Sequence, residues 1–161
     1  MISRFITVLI ILLTFYSCKK DKVSGNIQTD TALADSLRLT PTALQIGNDS
    51  LFLTTYVWRD FMPTTGKDGS VLYCSNQLTY KDSLPIPAGL EFKTQYVISG
   101  NQVWTNEHVD IDSGNPYVIR GVINGGPKWE PGIFVDVVCE FEISNQTYRI
   151  IVKQQKINAT Y

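Results

Sequence analysis

From Leu37 onward the hydrophobic positions recur every second residue, in short runs separated by Gly, Pro, Asn and Asp. That period marks half-buried β-strands, and no sustained 3.6-residue repeat accompanies it. The clearest run is IFVDVVCEFEI at 133–143, where Ile133, Val135, Val137, Cys139, Phe141 and Ile143 share one face and Asp136, Glu140 and Glu142 the other. Ser144, Asn145 and Gln146 then turn the chain into a second alternating run with Tyr148, Ile150 and Val152 on one face, which predicts a hairpin. Further strands are predicted near 43–47, 50–62, 71–80, 91–99, 102–111 and 116–124. So many short strands bury their apolar faces best in two sheets that cover each other. The expected fold is therefore all-β, an immunoglobulin-like two-sheet sandwich of about 7–9 antiparallel strands. Antibody-type markers are missing, since no Trp follows Cys74 at short distance and Val137 replaces the Tyr expected two residues before Cys139.

The first residues follow a different pattern. Met1 to Arg4 carry one positive charge, residues 5–16 (FITVLIILLTFY) are a short apolar run, and Ser17 puts a small residue directly before Cys18. This is the layout of a cleaved export signal, and twelve apolar residues fall short of the ~20 that span a bilayer. The string YSCKKD (16–21) resembles the signal end of Bacteroidota envelope lipoproteins, although Phe15 stands where Leu is usual. The resemblance implies residues 1–17 as signal peptide, acylation of Cys18, and a place in the cell envelope, at the outer membrane. Each acyl CH₂ buried contributes about 0.8 kcal/mol, so two or three chains on Cys18 would hold the protein to a membrane. Ordinary secretion without lipid is the alternative. Residues 18–35 have no aromatic and little apolar pattern, which predicts a flexible tether from the lipidated Cys18 to a sandwich domain at 36–161. YVWRDFMP (56–63) and GGPKWEPGIFVDVV (125–138) are similar to segments of small secreted bacterial β-sandwich domains, a likeness that implies a fold and no activity.

Charge narrows the functional classes. Of 161 residues 18% are charged, and 14 Lys and Arg are scattered among 15 acids for a net charge of −1, which argues against a nucleic-acid partner. His108 is the single histidine, in NEHVDID, where strand alternation would put Asp110 on its side. A His beside an Asp is half of a catalytic relay, but no GxSxG string or marked serine supplies a nucleophile. Asp110, Asp112 and Asn115 in DIDSGN (110–115) resemble the start of a calcium loop but lack its order and its closing Glu, so they read as a polar turn. No metal or other cofactor is expected.

GGPKWEPG (125–132) combines three Gly and two Pro around Trp129, flanked by Lys128 and Glu130. Such a loop either presents Trp129 for recognition or folds it back over an open end of the sandwich. On 51–61, Arg59 shares a face with Leu51, Leu53, Val57 and Phe61, which predicts a buried charge paired with Asp60 or Asp136. Cys74 and Cys139 share strand phases with core residues; they are expected inside, either joined as a disulfide or as free thiols. Thr31, Ser36, Ser50 and Ser83 each follow Asp and precede an aliphatic residue, a pattern that resembles Bacteroidota glycosylation sites and equally fits turns before strands.

Taken together, these features predict a lipid-anchored envelope β-sandwich acting as a non-enzymatic binding or accessory module for a protein or glycan partner, with the membrane engaged through Cys18. The alternatives are a small hydrolase or carbohydrate-active domain using His108 with Asp110, or the carboxylates Asp110 and Asp112, and a structural subunit of an envelope complex.

Overall fold

The structure, a computed structural model, describes residues 24–82 and 84–161. Ten strands form among them: β1 (Asn26–Thr29), β2 (Ala43–Ile46), β3 (Asp49–Asp60), β4 (Leu72–Tyr80), β5 (Glu91–Ser99), β6 (Gln102–Asn106), β7 (Asp110–Asn115), β8 (Val118–Gly126), β9 (Phe134–Ile143) and β10 (Gln146–Thr160). One helix, α1 (Thr31–Arg38), stands between β1 and β2. The strands pair in the order β1-β6-β5-β9-β10-β3-β4-β8-β7, with β2 added beside β3. The fold is all-β, as the alternation predicts. The expectation of purely antiparallel pairing is corrected, because the end of β10 (Ile157–Thr160) runs parallel to Val57–Asp60 of β3 and makes the sheet mixed.

β10 is the strand on which the sheet curls. Its first part pairs with β9 across a two-residue turn in which Ser144 and Asn145 both have positive φ, as tight hairpins require. The register then shifts between Val152 and Gln155, where Gln154 takes φ 57°. A bulge of this kind bends and twists a strand, and here it carries β10 from β9 over to β3. The two halves of the sheet consequently face each other. One core cluster joins Leu51, Leu53, Leu78 and Ile119 to Phe92, Cys139 and Phe141 of the other half; a second joins Val57, Leu72, Cys74 and Ile123 to Val97, Trp104, Val135 and Val137.

The expected tether at 18–35 is corrected over residues 24–35. Asn26–Thr29 pairs with β6, and α1 lies against the sheet. Asp30 caps the helix, accepting from the Leu33 backbone N–H at 2.9 Å, and Ala34 and Leu37, three apart, bury against Ile98, Val103, Val138 and Ile151. This explains why β9 is buried on both faces: Val137 and Cys139 point into the core, Asp136 and Val138 under the helix. Arg38 in the last turn holds Asp136 through Nε at 2.9 Å. The strand expected at 102–111 is likewise corrected. It breaks at 107–109, because β6 belongs to one half of the sheet and β7 to the other, and the chain must cross between them. Among the described residues no helix is long and apolar enough to cross a membrane.

Candidate functional site

Strand alternation sorts β3 cleanly. Leu51, Leu53, Val57 and Arg59 turn inward, while Phe52, Thr54, Tyr56 and Trp58 lie on the outer face. On β4 the inward set is Leu72, Cys74, Asn76 and Leu78, leaving Tyr73, Ser75 and Gln77 outside; β8 adds Arg120 and Val122 to the same outer face. The register then builds the site. Thr54, Gln77, Arg120 and Asp112 form one row across four strands, Tyr56, Ser75, Val122 and Asp110 the next, and Trp58 pairs with Tyr73 beyond them.

Trp58 stacks with both neighbours, its ring centroid 5.4 Å from Tyr56 and 5.2 Å from Tyr73, with interplanar angles of 29° and 17°. Offset stacking at this spacing is favourable and fixes the three rings as a row. Beside it opens a groove of about 390 Å³ lined by Thr54, Thr55, Tyr56, Trp58, Ser75, Gln77 and Arg120. Tyr56 is 49% exposed. Among the described residues, the Arg120 guanidinium, the Gln77 amide, the Ser75 hydroxyl and the Trp58 indole N–H make no hydrogen bond or ion pair to another side chain or carbonyl. Aromatic surface and unclaimed donors and acceptors thus meet in one place.

The Trp129 loop is built differently. Trp129 is half-buried, packs against the core cluster around Val57 and Trp104, and donates its indole N–H to Gln102 Oε1 at 3.0 Å. Lys128 and Glu130 are exposed. The loop is tied down by Arg59, which is only 2% exposed. Its Nε donates to the Ser70 carbonyl at 2.9 Å, its Nη1 to the Lys128 and Trp129 carbonyls at 3.3 and 3.1 Å, and its Nη2 to the Asp68 carbonyl. The expected carboxylate partner is corrected: backbone carbonyls satisfy this charge, while Asp136 serves Arg38 and the Gln154 N–H and Asp60 accepts from the Met62 N–H. The first two glycines of the loop also have a packing reason. A Cβ on Gly126 would lie 2.6 Å from the Trp104 ring, and one on Gly125, which has φ 84°, would run into Ser24.

His108 is exposed, in the crossover at 107–109, beside Gly25, Asn26, Thr105 and Glu107 in a shallow groove of about 250 Å³. Asp110 begins the next strand, so the shared strand face expected for this pair is corrected. Asp112 Oδ1 accepts from the Gly114 N–H and Asn115 Oδ1 from the Tyr117 N–H, the bonds of a polar turn. Among the described residues no three His, Cys, Asp or Glu side chains cluster as metal ligands.

Cys74 and Cys139 are fully buried, as expected, and both are free thiols. Burial pushes the Cys74 thiol up to about 11, against smaller opposing effects of its hydrogen bonds with Thr55 and Asn76. Burial, with Cys74 nearby, raises Cys139 as well. Thr31 and Ser36 are exposed on α1, Ser36 donating to the Leu33 carbonyl; Ser50 is half-buried and donates to Gln45 Oε1. Cys18 and Ser83 lie outside the described residues.

The outer-face groove was not among the sites expected from sequence. Its signal was available, as aromatic residues two apart at Tyr56 and Trp58 on a strand whose opposite face is aliphatic. No protein-family model matches the chain, and no significant match was found among curated proteins or solved structures.

Proposed function

We propose that the chain is a non-enzymatic binding module of the cell envelope, anchored by lipid on Cys18, that engages its partner through the outer face of β3, β4 and β8. The observation that carries this reading is the groove at Tyr56, Trp58, Gln77 and Arg120, where polar groups are left unclaimed by the protein beside a stacked aromatic row. Its lining contains no carboxylate, imidazole or thiol, which favours binding over general acid–base or nucleophilic chemistry. The curled sheet, with its core shared between two facing halves, supports an immunoglobulin-like sandwich as the scaffold that holds this face rigid. The export-like sequence at 1–18 supports the envelope address.

A photoreactive amino acid in place of Thr54, in the full chain within intact cells, tests the reading. An adduct to an envelope macromolecule that disappears when Trp58→Ala is added is the expected result. Absence of any adduct, or one indifferent to Trp58→Ala, overturns it.

A further inference from the structure

We infer that the ligand of the outer-face groove is a neutral glycan, held with the C–H face of a pyranose ring against the aromatic row and its hydroxyl edge on Gln77 and Arg120. The inference rests on the binding-module reading and specifies the partner's chemistry. A pyranose is one of few polymer units with an apolar face and a hydroxylated rim on the same ring. Aromatic rings attract C–H bonds through their electron-rich faces; Trp58 is stacked with both Tyr56 and Tyr73, so the surface offered is chiefly that of Tyr56, 49% exposed and held in place by the stack. Vicinal hydroxyls want forked donors and amides, which the register partners Arg120 and Gln77 provide, with the Thr54 hydroxyl on the far side of Gln77 and the Ser75 hydroxyl in the next row.

Other occupants fit less well. A purely apolar ligand would cover the Arg120, Gln77 and Ser75 groups without pairing them, a desolvation cost with nothing to offset it. An anionic polymer would meet one cation in the groove, and Asp112 stands directly opposite Arg120 in the register with Asp110 in the adjoining row. A stable protein interface draws on about 20–30 residues a side. The groove has seven. Its volume of about 390 Å³ lies at the low end of the range for small-ligand sites, suited to one or two sugar rings of a longer chain.

The test is affinity electrophoresis of the protein in native gels containing a neutral polysaccharide in turn, namely β-1,3-glucan, mixed-linkage β-glucan, xylan, galactomannan or starch. Polygalacturonate and dextran sulfate form the anionic arm. The expected result is retardation by at least one neutral polymer, weakened about tenfold by Tyr56→Ala and by Arg120→Ala, equivalent to about 1.4 kcal/mol each. Both side chains are exposed, and unchanged circular dichroism and melting temperature show that the variants remain folded. Retardation by no neutral polymer, retardation indifferent to both substitutions, or retardation by the anionic polymers alone that vanishes in high salt each overturns the inference. If no neutral polymer retards the protein while Thr54 still cross-links to an envelope protein in a Trp58-dependent way, the glycan fails and the binding module stands. Loss of both signals removes both.

Discussion

Arg59 donates to the carbonyl oxygen of Trp129 at 3.1 Å, so the loop that carries the exposed Lys128 and Glu130 is fastened through its backbone to β3. One guanidinium serves four carbonyls on two segments, Asp68 and Ser70 on one side and Lys128 and Trp129 on the other. A lysine cannot reproduce this, because its three donors radiate from a single point. Arg59→Lys and Arg59→Met are expected to destabilise the domain by about 2–4 kcal/mol, since buried carbonyls are left unpaired in either case. Urea denaturation measures it; a change below about 0.5 kcal/mol, the range of ordinary surface substitutions, would show that the carbonyls find other partners.

The tryptophans separate by burial. Trp104 is fully buried and closes over Gly126, whereas Trp129 is half-buried at the edge of the same cluster. Trp104→Ala is expected to cost about 3–5 kcal/mol and Trp129→Ala about 1–2 kcal/mol, the smaller figure following from the smaller area withdrawn from water. Chemical denaturation of the two variants side by side checks the order, and the reverse order would contradict this packing.

Both buried thiols titrate above their ordinary value, which links stability to alkaline pH. The folded state keeps Cys74 protonated to about 11 while the unfolded chain releases its proton near 9.0. Above that lower value the native state binds more protons than the unfolded one, so stability is full below pH 9 and falls as pH rises through 9 to 11. The variant Cys74→Ala/Cys139→Ala is expected to show a shallower alkaline loss. At pH 8 the native thiols should resist alkylation until the protein unfolds, and rapid native labelling would contradict their burial.

Asp136 fixes two elements at once, through Arg38 of α1 and through the backbone N–H of Gln154 at the bulge of β10. Asp136→Ala is expected to destabilise by about 2–3 kcal/mol, and hydrogen exchange should quicken in α1 and around Gln154 together. Quickening in α1 alone would separate the two roles.

Cys18→Ala in the full chain is expected to stop signal processing and incorporation of labelled palmitate. Unchanged processing would point to ordinary secretion instead.

The strands were legible where one face is buried and the other wet. In β9 and β10 the alternation from Ile133 to Val152 marked both strands and their turn. α1 was not legible because it buries only Ala34 and Leu37, too little to raise a helical period above its polar surroundings; Asp30, three residues before Leu33, was its available signal. The break at 107–109 was hidden because alternation continues straight through a crossover between the two halves. Of the candidate sites, the Trp129 loop was visible as Gly and Pro. The groove was not, since its floor comes from β4 and β8, and only the register reveals which residues share a face with Tyr56.

The parallel pairing of β10 with β3 has a temporal meaning. Val57 receives its neighbour Ile157 only after the chain has been extended by a further hundred positions. Closing so long a loop is slow, and until it closes, the last four residues of β3 present an open edge. A chain emerging from its N-terminus therefore cannot close this sheet until β10 has followed β3. The two halves of the sheet are joined along β3 only when that pairing forms.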